Sequence, residues 1–332
     1  MWVDLCYAER GRGHIANDIP CQDKTYSIAK DGVNVIALSD GAGSAKLSHF
    51  GAEKVTENIA VYLIDRFEEI YNNSDADAVR EEIIIRVNEV VVKTAEKLSC
   101  EKRDLACTLL LVAIKDDRYI LMHCGDGVTG FMRADELKVA TKPMNGEFAN
   151  ETVFITSHNG KQSLRVAKGS LNGIRAFVLM SDGSEACLYS KKEAYFANAV
   201  AKIINSATFM PIETVRETLI NAFKNTVIKK TTDDCSIAFL VKRDAETSKY
   251  NELSFEDKCE LLLVNSKARN AKYVLAKEEA MFKIMQHPVL IEELSKNSGI
   301  KSVRYLKAKL KKFIKKRLVF EAENRYCSTV QI

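Results

Sequence analysis

Nine cysteines are scattered through the chain at wide intervals, yet no CxxC pair occurs anywhere. An odd number without close pairing argues against a disulfide framework and against a zinc knuckle. Cys107 and Cys124 stand inside apolar stretches, where a reduced thiol packs as a small hydrophobe, so a cytoplasmic location is expected. The five histidines (14, 49, 123, 158 and 287) show neither HxxxH nor HExxH spacing, which counts against zinc-hydrolase chemistry. The longest apolar runs, Thr108 to Ile114 and Ala176 to Met180, fall far short of the roughly 20 residues that cross a bilayer. They read as buried strands, and no membrane partner is expected. No basic segment followed by a long apolar stretch opens the chain, so no secretion leader is expected. The glycine-bearing loop Asp40 to Lys46 lacks GxxxxGK[ST] spacing, and no GxGxxG opens a helix, which sets a nucleotide-binding reading aside.

What is present fits an ordinary globular chain: 332 residues, 46% hydrophobic and 28% charged. That length exceeds what one core usually organises, so a large domain with a smaller appendage is expected. The net charge of +4 is unevenly spread. Residues 251–332 hold 17 Lys and Arg against 10 Asp and Glu, a balance of +7, which leaves −3 for residues 1–250. We expect a catalytic domain over 1–244, a linker or connecting helix over 245–277, and a basic domain over 278–332.

Along the first domain, Trp2 to Tyr7, Tyr26 to Ala29 and Val33 to Leu38 read as strands. Two helical stripes follow, one through Phe50, Val55, Ile59, Leu63, Phe67 and Ile70, the other opened by Asp75 and carried by Val79, Ile83, Val87 and Val90. Thr108 to Ile114 and Tyr119 to His123 predict a hairpin. A strand at Arg175 to Met180, helices over roughly 191–205 and 211–225, and a last strand at Cys235 to Val241 complete the domain. Grouped strands and paired helices predict stacked sheets flanked by helices, not a βαβ repeat.

Acidic motifs border these strands: Gln22-Asp23 before Tyr26, Asp40-Gly41 after Leu38, Asp126-Gly127 after Met122, Asp182-Gly183 after Met180, and Asp233-Asp234 before the last strand. Any one of them is an ordinary turn. Their recurrence could gather carboxylates from distant segments at one end of a sandwich. Two carboxylates about 5 Å apart repel by roughly 3 kcal/mol at an effective dielectric near 20, so such a cluster must protonate or hold cations. All-oxygen ligands favour Mg²⁺ or Mn²⁺. A pair of such ions can polarise a phosphoryl group and activate water without a protein nucleophile.

The order and wording of the motifs resemble the protein phosphatase 2C family, particularly its bacterial branch, over about residues 3–243. The carrying residues are Pro20-Cys21-Gln22-Asp23, Leu38-Ser39-Asp40-Gly41-Ala42-Gly43-Ser44, Cys124-Gly125-Asp126-Gly127, Leu179-Met180-Ser181-Asp182-Gly183 and Thr232-Asp233-Asp234-Cys235-Ser236. The resemblance implies an α+β fold, a two-sheet antiparallel β-sandwich flanked by helices, with a metal pair in a cleft at one edge. It implies that Asp40 bridges both ions, that the Gly41 carbonyl binds one, and that Asp182 and Asp233 hold the other. Asp23 would act through metal-held water, and Asp126 matches the position that supports a weaker third ion. The activity implied is hydrolysis of phosphoserine and phosphothreonine on proteins, opposing a kinase in bacterial signalling.

Departures from the family fall where protons move and phosphate is gripped. Ala42 replaces a histidine that many eukaryotic members carry, so the leaving-group proton must come from water or another residue such as His14. The arginine that clamps phosphate in eukaryotic members is missing, since Asp18 stands there, and Arg10 or Arg12 could substitute. Ala186 occupies the usual second-acid position, with Glu185 beside it. These departures leave a second reading open, a catalytically silent scaffold that binds phosphoproteins.

The tail follows its own pattern. A helix from about Glu278 to His287 stops at Pro288, another runs through Leu290, Ile291 and Leu294, and Gly299 marks a turn. A third begins near Ser302, with Val303, Leu306, Leu310 and Phe313 as its apolar stripe and Lys307, Lys309, Lys311, Lys312, Lys315 and Lys316 around the remainder. Leu318 to Phe320 and Arg325 to Val330 predict a hairpin around Glu321 to Asn324. The whole is small and mainly helical, and resembles a winged helix-turn-helix. Lys307, Lys311 and Lys312 would then face nucleic acid, the tail serving a DNA-binding regulator. A protein-interaction module with a solvated lysine face is the other reading, and Glu292, Glu293, Glu321 and Glu323 would oppose DNA.

Overall fold

A computed structural model of the chain describes residues 1–332 apart from 134–135, 145–151, 211, 244–249, 252, 317, 323 and 331. It divides into two compact units. The larger comprises Trp2–Ile204 with Arg216–Lys242, and the smaller comprises Met1, Asn205–Val215 and Arg243–Ile332.

The larger unit opens with strand β1 (Trp2–Glu9), the short helix α1 (Arg12–Ala16), and strands β2 (Lys24–Lys30) and β3 (Val33–Ser39). β2 and β3 are joined through Asp31 and Gly32, both at positive φ (53° and 78°), which suits the right-handed twist of a tight hairpin. The long helices α2 (Ser48–Asn72) and α3 (Ala76–Leu98) follow, and Asp75 caps α3 by accepting from the Asp77 and Ala78 amides at 2.9 and 3.0 Å. Next come β4 (Leu109–Lys115), β5 (Arg118–Cys124), β6 (Val128–Arg133), β7 (Glu136–Thr141), α4 (Gly160–Ser163), β8 (Arg165–Ser170) and β9 (Ile174–Met180). Then follow α5 (Asp182–Leu188), β10 (Tyr189–Ser190), β11 (Tyr195–Phe196), α6 (Asn198–Phe209), α7 (Ile212–Ala222) and β12 (Cys235–Lys242), with the end of α6 and the start of α7 counted in the smaller unit.

Two antiparallel sheets result, in the orders β1-β12-β9-β6-β7 and β2-β3-β4-β5-β8. The sequence of β3 and β4 is apolar without alternation because both faces of the second sheet are covered. Val33, Val35, Ala37, Leu109, Leu111 and Ala113 pack with the α2 and α3 stripes. Ile36, Leu38, Leu110, Val112 and Ile114 face Phe177, Leu179, Ala238 and Leu240 of the first sheet. On α2, Val55, Ile59, Leu63, Phe67 and Ile70 are buried. Each contributes about 2 kcal/mol of transfer free energy, so packing rather than intrinsic propensity holds the helix in place.

One expected helix begins later than its periodicity suggests. Residues 191–194 form a turn with Ala194 at φ 52° between β10 and β11, and α6 starts only at Asn198. Tyr189 and Phe196 pair across that short hairpin with ring centroids 5.2 Å apart, and the cross-strand contact overrides helix propensity. Strand β8 carried no sequence signal strong enough to be placed, because its Arg165-Val166-Ala167-Lys168-Gly169-Ser170 run is mostly polar or small and lies at the sheet edge.

The smaller unit includes α8 (Phe255–Leu261), α9 (Ala271–Ile284), β13 (Val289–Leu290), α10 (Ile291–Ser298), α11 (Val303–Lys315), β14 (Val319–Ala322) and β15 (Arg325–Ser328). α9 starts ahead of the Glu278 expected for it, and its first two turns bury Ala271 and Leu275. α10 ends at Gly299 in the left-handed region, and Ser302 caps α11 through the Tyr305 amide at 3.3 Å. The three strands form a sheet of order β13-β15-β14. Leu275, Phe282, Leu294, Leu306, Leu310, Phe313 and Tyr326 share one core, with Phe282 edge-on to Phe313 at 5.0 Å.

Candidate active site

Strand register gathers the acidic motifs. Lys24 pairs with Ser39, Leu109 with Cys124, Val128 with Met180, and Ile237 with Met180. Asp23, Asp40, Asp126, Asp182 and Asp233 therefore lie beyond paired strand ends, all at the same end of the two sheets.

Asp40 is fixed by reciprocal bonds to Thr108. Its amide donates to the Thr108 hydroxyl at 2.8 Å, its carbonyl accepts from the Thr108 amide at 2.9 Å, and the Ser39 hydroxyl donates to the Thr108 carbonyl at 2.5 Å. Gly41 is required by close approach, since a Cβ there would meet Ser48 of α2 at 2.8 Å. Asp182 opens α5, and just before it the Ser181 amide donates to the Ser236 carbonyl at 3.2 Å while the Ser236 amide donates to the Ser181 hydroxyl at 3.0 Å, tying β9 to β12. Gly183 next to it runs so near the Asp234 carbonyl that a Cβ would stand 1.9 Å away. Asp126 follows Gly125, which takes φ 133°, and the Thr152 hydroxyl donates to its carboxylate at 2.5 Å.

Burial and mutual repulsion dominate the electrostatics. The Asp23 carboxyl is pushed up to about 8 by burial, with the Ser181 and Ser236 hydroxyls drawing it partly back and Asp234 and Asp182 raising it again. Asp40 is raised well above the usual carboxylate range by burial and then by Asp23, Asp182, Asp126 and Asp233. Asp182 is raised by burial, Asp126 and Asp233, and is partly relieved by a hydrogen bond from Asp40. A cation among these carboxyls would relieve the same repulsion.

The donor set fits hard divalent cations. Buried oxygens of Asp23 (Oδ2) and Asp182 (Oδ1) have no hydrogen-bond partner, which is costly unless something positive faces them. Among the described residues no three carboxylate, imidazole or thiol side chains already stand as a closed cage. Mg²⁺-type sites are commonly bound through one or two carboxylates and keep several waters, so a loose gathering of aspartates suits them better than it suits zinc.

Around the cluster lies a layer that motif reading had undervalued. Asp234 is buried and accepts from the Gly11 amide at 2.6 Å and the Gln22 amide at 2.5 Å, pinning the α1 segment beside Asp23. His14 sets Nδ1 2.8 Å from the same carboxylate. Glu185 of α5 is buried, is pushed up to about 7 by burial against the pull of Lys191, and pairs with Lys191 at 2.9 Å. Buried His123 sits between the Thr141 hydroxyl (2.5 Å to Nδ1) and the Gly125 carbonyl (3.0 Å to Nε2), bracing the turn that presents Asp126. The signal for Asp234 was visible, because two acids adjoin before β12. Only their differing burial separates an exposed Asp233 from an enclosed Asp234.

The two arginines lie on the α1 segment. Arg10 donates to the His14 carbonyl at 3.0 Å and to Asp18 at 3.4 Å, and Arg12 donates to the Thr231 carbonyl at 3.1 Å.

Fold and site together define a protein serine/threonine phosphatase. The chain belongs to the protein phosphatase 2C family, whose model matches residues 10–246. It is 28% identical over 183 residues, 52% of this chain and 71% of the other, to serine/threonine-protein phosphatase 3 of Escherichia coli (strain K12). A crystal structure of a bacterial serine phosphatase shares the fold at TM-score 0.53 and 14% identity, covering 74% of this chain and 99% of that one. The catalytic domain of the serine/threonine phosphatase PstP, solved in complex with two manganese ions, does so at TM-score 0.50 and 16% identity, covering 73% and 99%.

Proposed function

We propose that the chain removes phosphate from phosphoserine and phosphothreonine side chains of proteins using two divalent cations, Mn²⁺ or Mg²⁺. Asp40 would bridge the pair, with the Gly41 carbonyl, Asp182 and Asp233 completing the protein ligands and Asp126 available to a weaker third ion. When bound, such ions supply Lewis-acid polarisation of the phosphoryl group and a nucleophilic water at neutral pH. The observation that carries this reading is the convergence of five aspartates from distant segments at one sandwich end, with orphaned oxygens on Asp23 and Asp182.

The chain's own residues do the rest. Asp23, next to Gln22 whose amide is held by Asp234, would orient solvent and take up a proton once cations occupy the cluster. Arg10 and Arg12 lie on the loop that would meet the substrate phosphate, and a guanidinium fork suits its oxygens. His14 serves the site by bracing that loop against Asp234. With Ala42 beside Gly41, leaving-group protonation falls to solvent.

The likeness to a PstP domain holding two manganese ions supports the metal pair. Free thiols at all nine cysteines support work in the cytoplasm, where the enzyme would oppose a serine/threonine kinase. No described helix is long and apolar enough to cross a membrane.

The test is hydrolysis of a phosphothreonine peptide by the full chain. Activity should require Mn²⁺ or Mg²⁺, stop with chelator, and fall by about 100-fold or more in Asp40→Asn and Asp182→Ala. Metal binding and peptide capture without turnover would replace the enzyme with a silent phosphoprotein scaffold.

A further inference from the structure

The smaller unit carries a surface that phosphoester hydrolysis does not use. Helix α11 holds Arg304, Lys307, Lys309, Lys311, Lys312 and Lys315 and no acid. Lys309 is spent on the buried Glu278 of α9, with which it forms an ion pair. The others are exposed, as are Tyr305, Ala308 and the following Lys316.

Their placement around the helix is not random. At about 100° per residue, Lys307, Lys311, Arg304, Lys315, Ala308, Lys312, Tyr305 and Lys316 succeed one another around roughly half the circumference. Leu306, Leu310 and Phe313 occupy the opposite half and are buried in the core of the unit. From Arg304 to Lys316 the cationic face runs about 18 Å at 1.5 Å per residue. A surface of that length, with six cations around Tyr305 and Ala308, matches the dense and regular negative charge of a nucleic-acid duplex, and a single α-helix fits a major groove about 12 Å wide.

The framework around α11 presents it outward. α10 and α11 are joined by the four-residue turn 299–302, which contains the left-handed Gly299 and the capping Ser302. β14 and β15 form a hairpin immediately after α11, and β13, just before α10, pairs with β15. Glu292 and Glu321 line a cleft of about 510 Å³ beside α11, together with Lys307, Lys311 and Tyr326. They stand at the Lys307 and Lys311 border of the cationic face.

We propose that this unit is a winged helix-turn-helix module and that α11 docks in the major groove of duplex DNA. Arg304, Tyr305, Lys307 and Ala308, near its N-terminus, reach base edges, and Lys311, Lys312, Lys315 and Lys316 contact phosphates. The inference stands apart from the phosphatase reading, since it rests on residues of the smaller unit alone.

The experiment is fluorescence anisotropy of the full chain with a labelled 20-base-pair DNA duplex of random sequence across a salt series. Four phosphate contacts predict a slope of log K on log salt of about −3.6, hence an affinity loss of about 150-fold between 50 and 200 mM salt. The variant Lys307→Gln/Lys311→Gln/Lys312→Gln, which removes two of the four phosphate contacts, should keep the wild-type melting temperature and phosphatase rate while flattening the slope by about 1.8. Lys93→Gln/Lys97→Gln, on the exposed side of α3, should bind as wild type does. Absence of binding at 50 mM salt, or an equal loss in both variants, overturns the proposal. Displacement of the duplex by poly-glutamate at equal charge concentration also overturns it and makes an acidic protein the partner.

Discussion

Replacing Asp23 with asparagine tests the crowded-carboxylate picture most directly. The residue is 1% exposed, and its carboxyl stands at about 8 against 3.8 for an unburied aspartate, burial being the first cause. Between those values the native chain keeps a proton that the unfolded chain has released. Stability without metal therefore falls as pH rises, by about 1.4 kcal/mol per pH unit, and levels off above the folded pKa. From about pH 6.5 to about pH 8 the share due to Asp23 is about 1.5 kcal/mol. Asp40, Asp182 and Glu185 are raised too and steepen the slope. His123 acts in the opposite direction, but with its pKa lowered to about 4 most of its effect falls below the window, and what remains is common to both proteins. Asparagine keeps the shape, loses the charge, and can still meet the Ser181 and Ser236 hydroxyls. In urea unfolding with chelator present, Asp23→Asn should gain about 1.5 kcal/mol on wild type between those two pH values. Saturating Mn²⁺ should remove the wild-type slope, because cations take over the neutralising role of the protons. Parallel pH profiles for the two proteins in chelator would refute the reasoning.

Asp234→Asn should lower stability by about 3 kcal/mol, since a carboxylate serving two amides and His14 is replaced by a group that turns an NH₂ toward donors. A change in melting temperature too small to detect would mean that the α1 segment is held by other contacts. His123→Gln should flatten the acid limb of the stability curve. The native imidazole, its pKa lowered to about 4 by burial, resists the proton that the unfolded chain accepts below about 6.5, so stability drops through that window in wild type by about 1.4 kcal/mol per unit. An unchanged acid limb would show that His123 is protonated in the native state.

Much was settled by residue order alone. Continuous apolar runs bounded by aspartate and glycine announced doubly covered strands, i, i+4 stripes announced α2 and α3, and the five motifs in sequence announced the family. The lysine pattern from Lys307 to Lys316 already separated the buried from the solvated side of α11. These features are local, and a local signal can be read wherever side-chain periodicity matches the backbone repeat.

Tertiary structure decided what depends on pairing and enclosure. The start of α6 moved because Tyr189 and Phe196 met across a hairpin, and edge strand β8 had no periodicity to betray it. The division of labour between Asp233 and Asp234 came from burial: neighbours in the chain, one faces solvent while the other accepts the Gly11 and Gln22 amides. Glu185 likewise looked incidental until α5 enclosed it opposite Lys191. A carboxylate's chemistry is set by which charges and dipoles surround it, and those neighbours come from remote parts of the chain that only folding brings together.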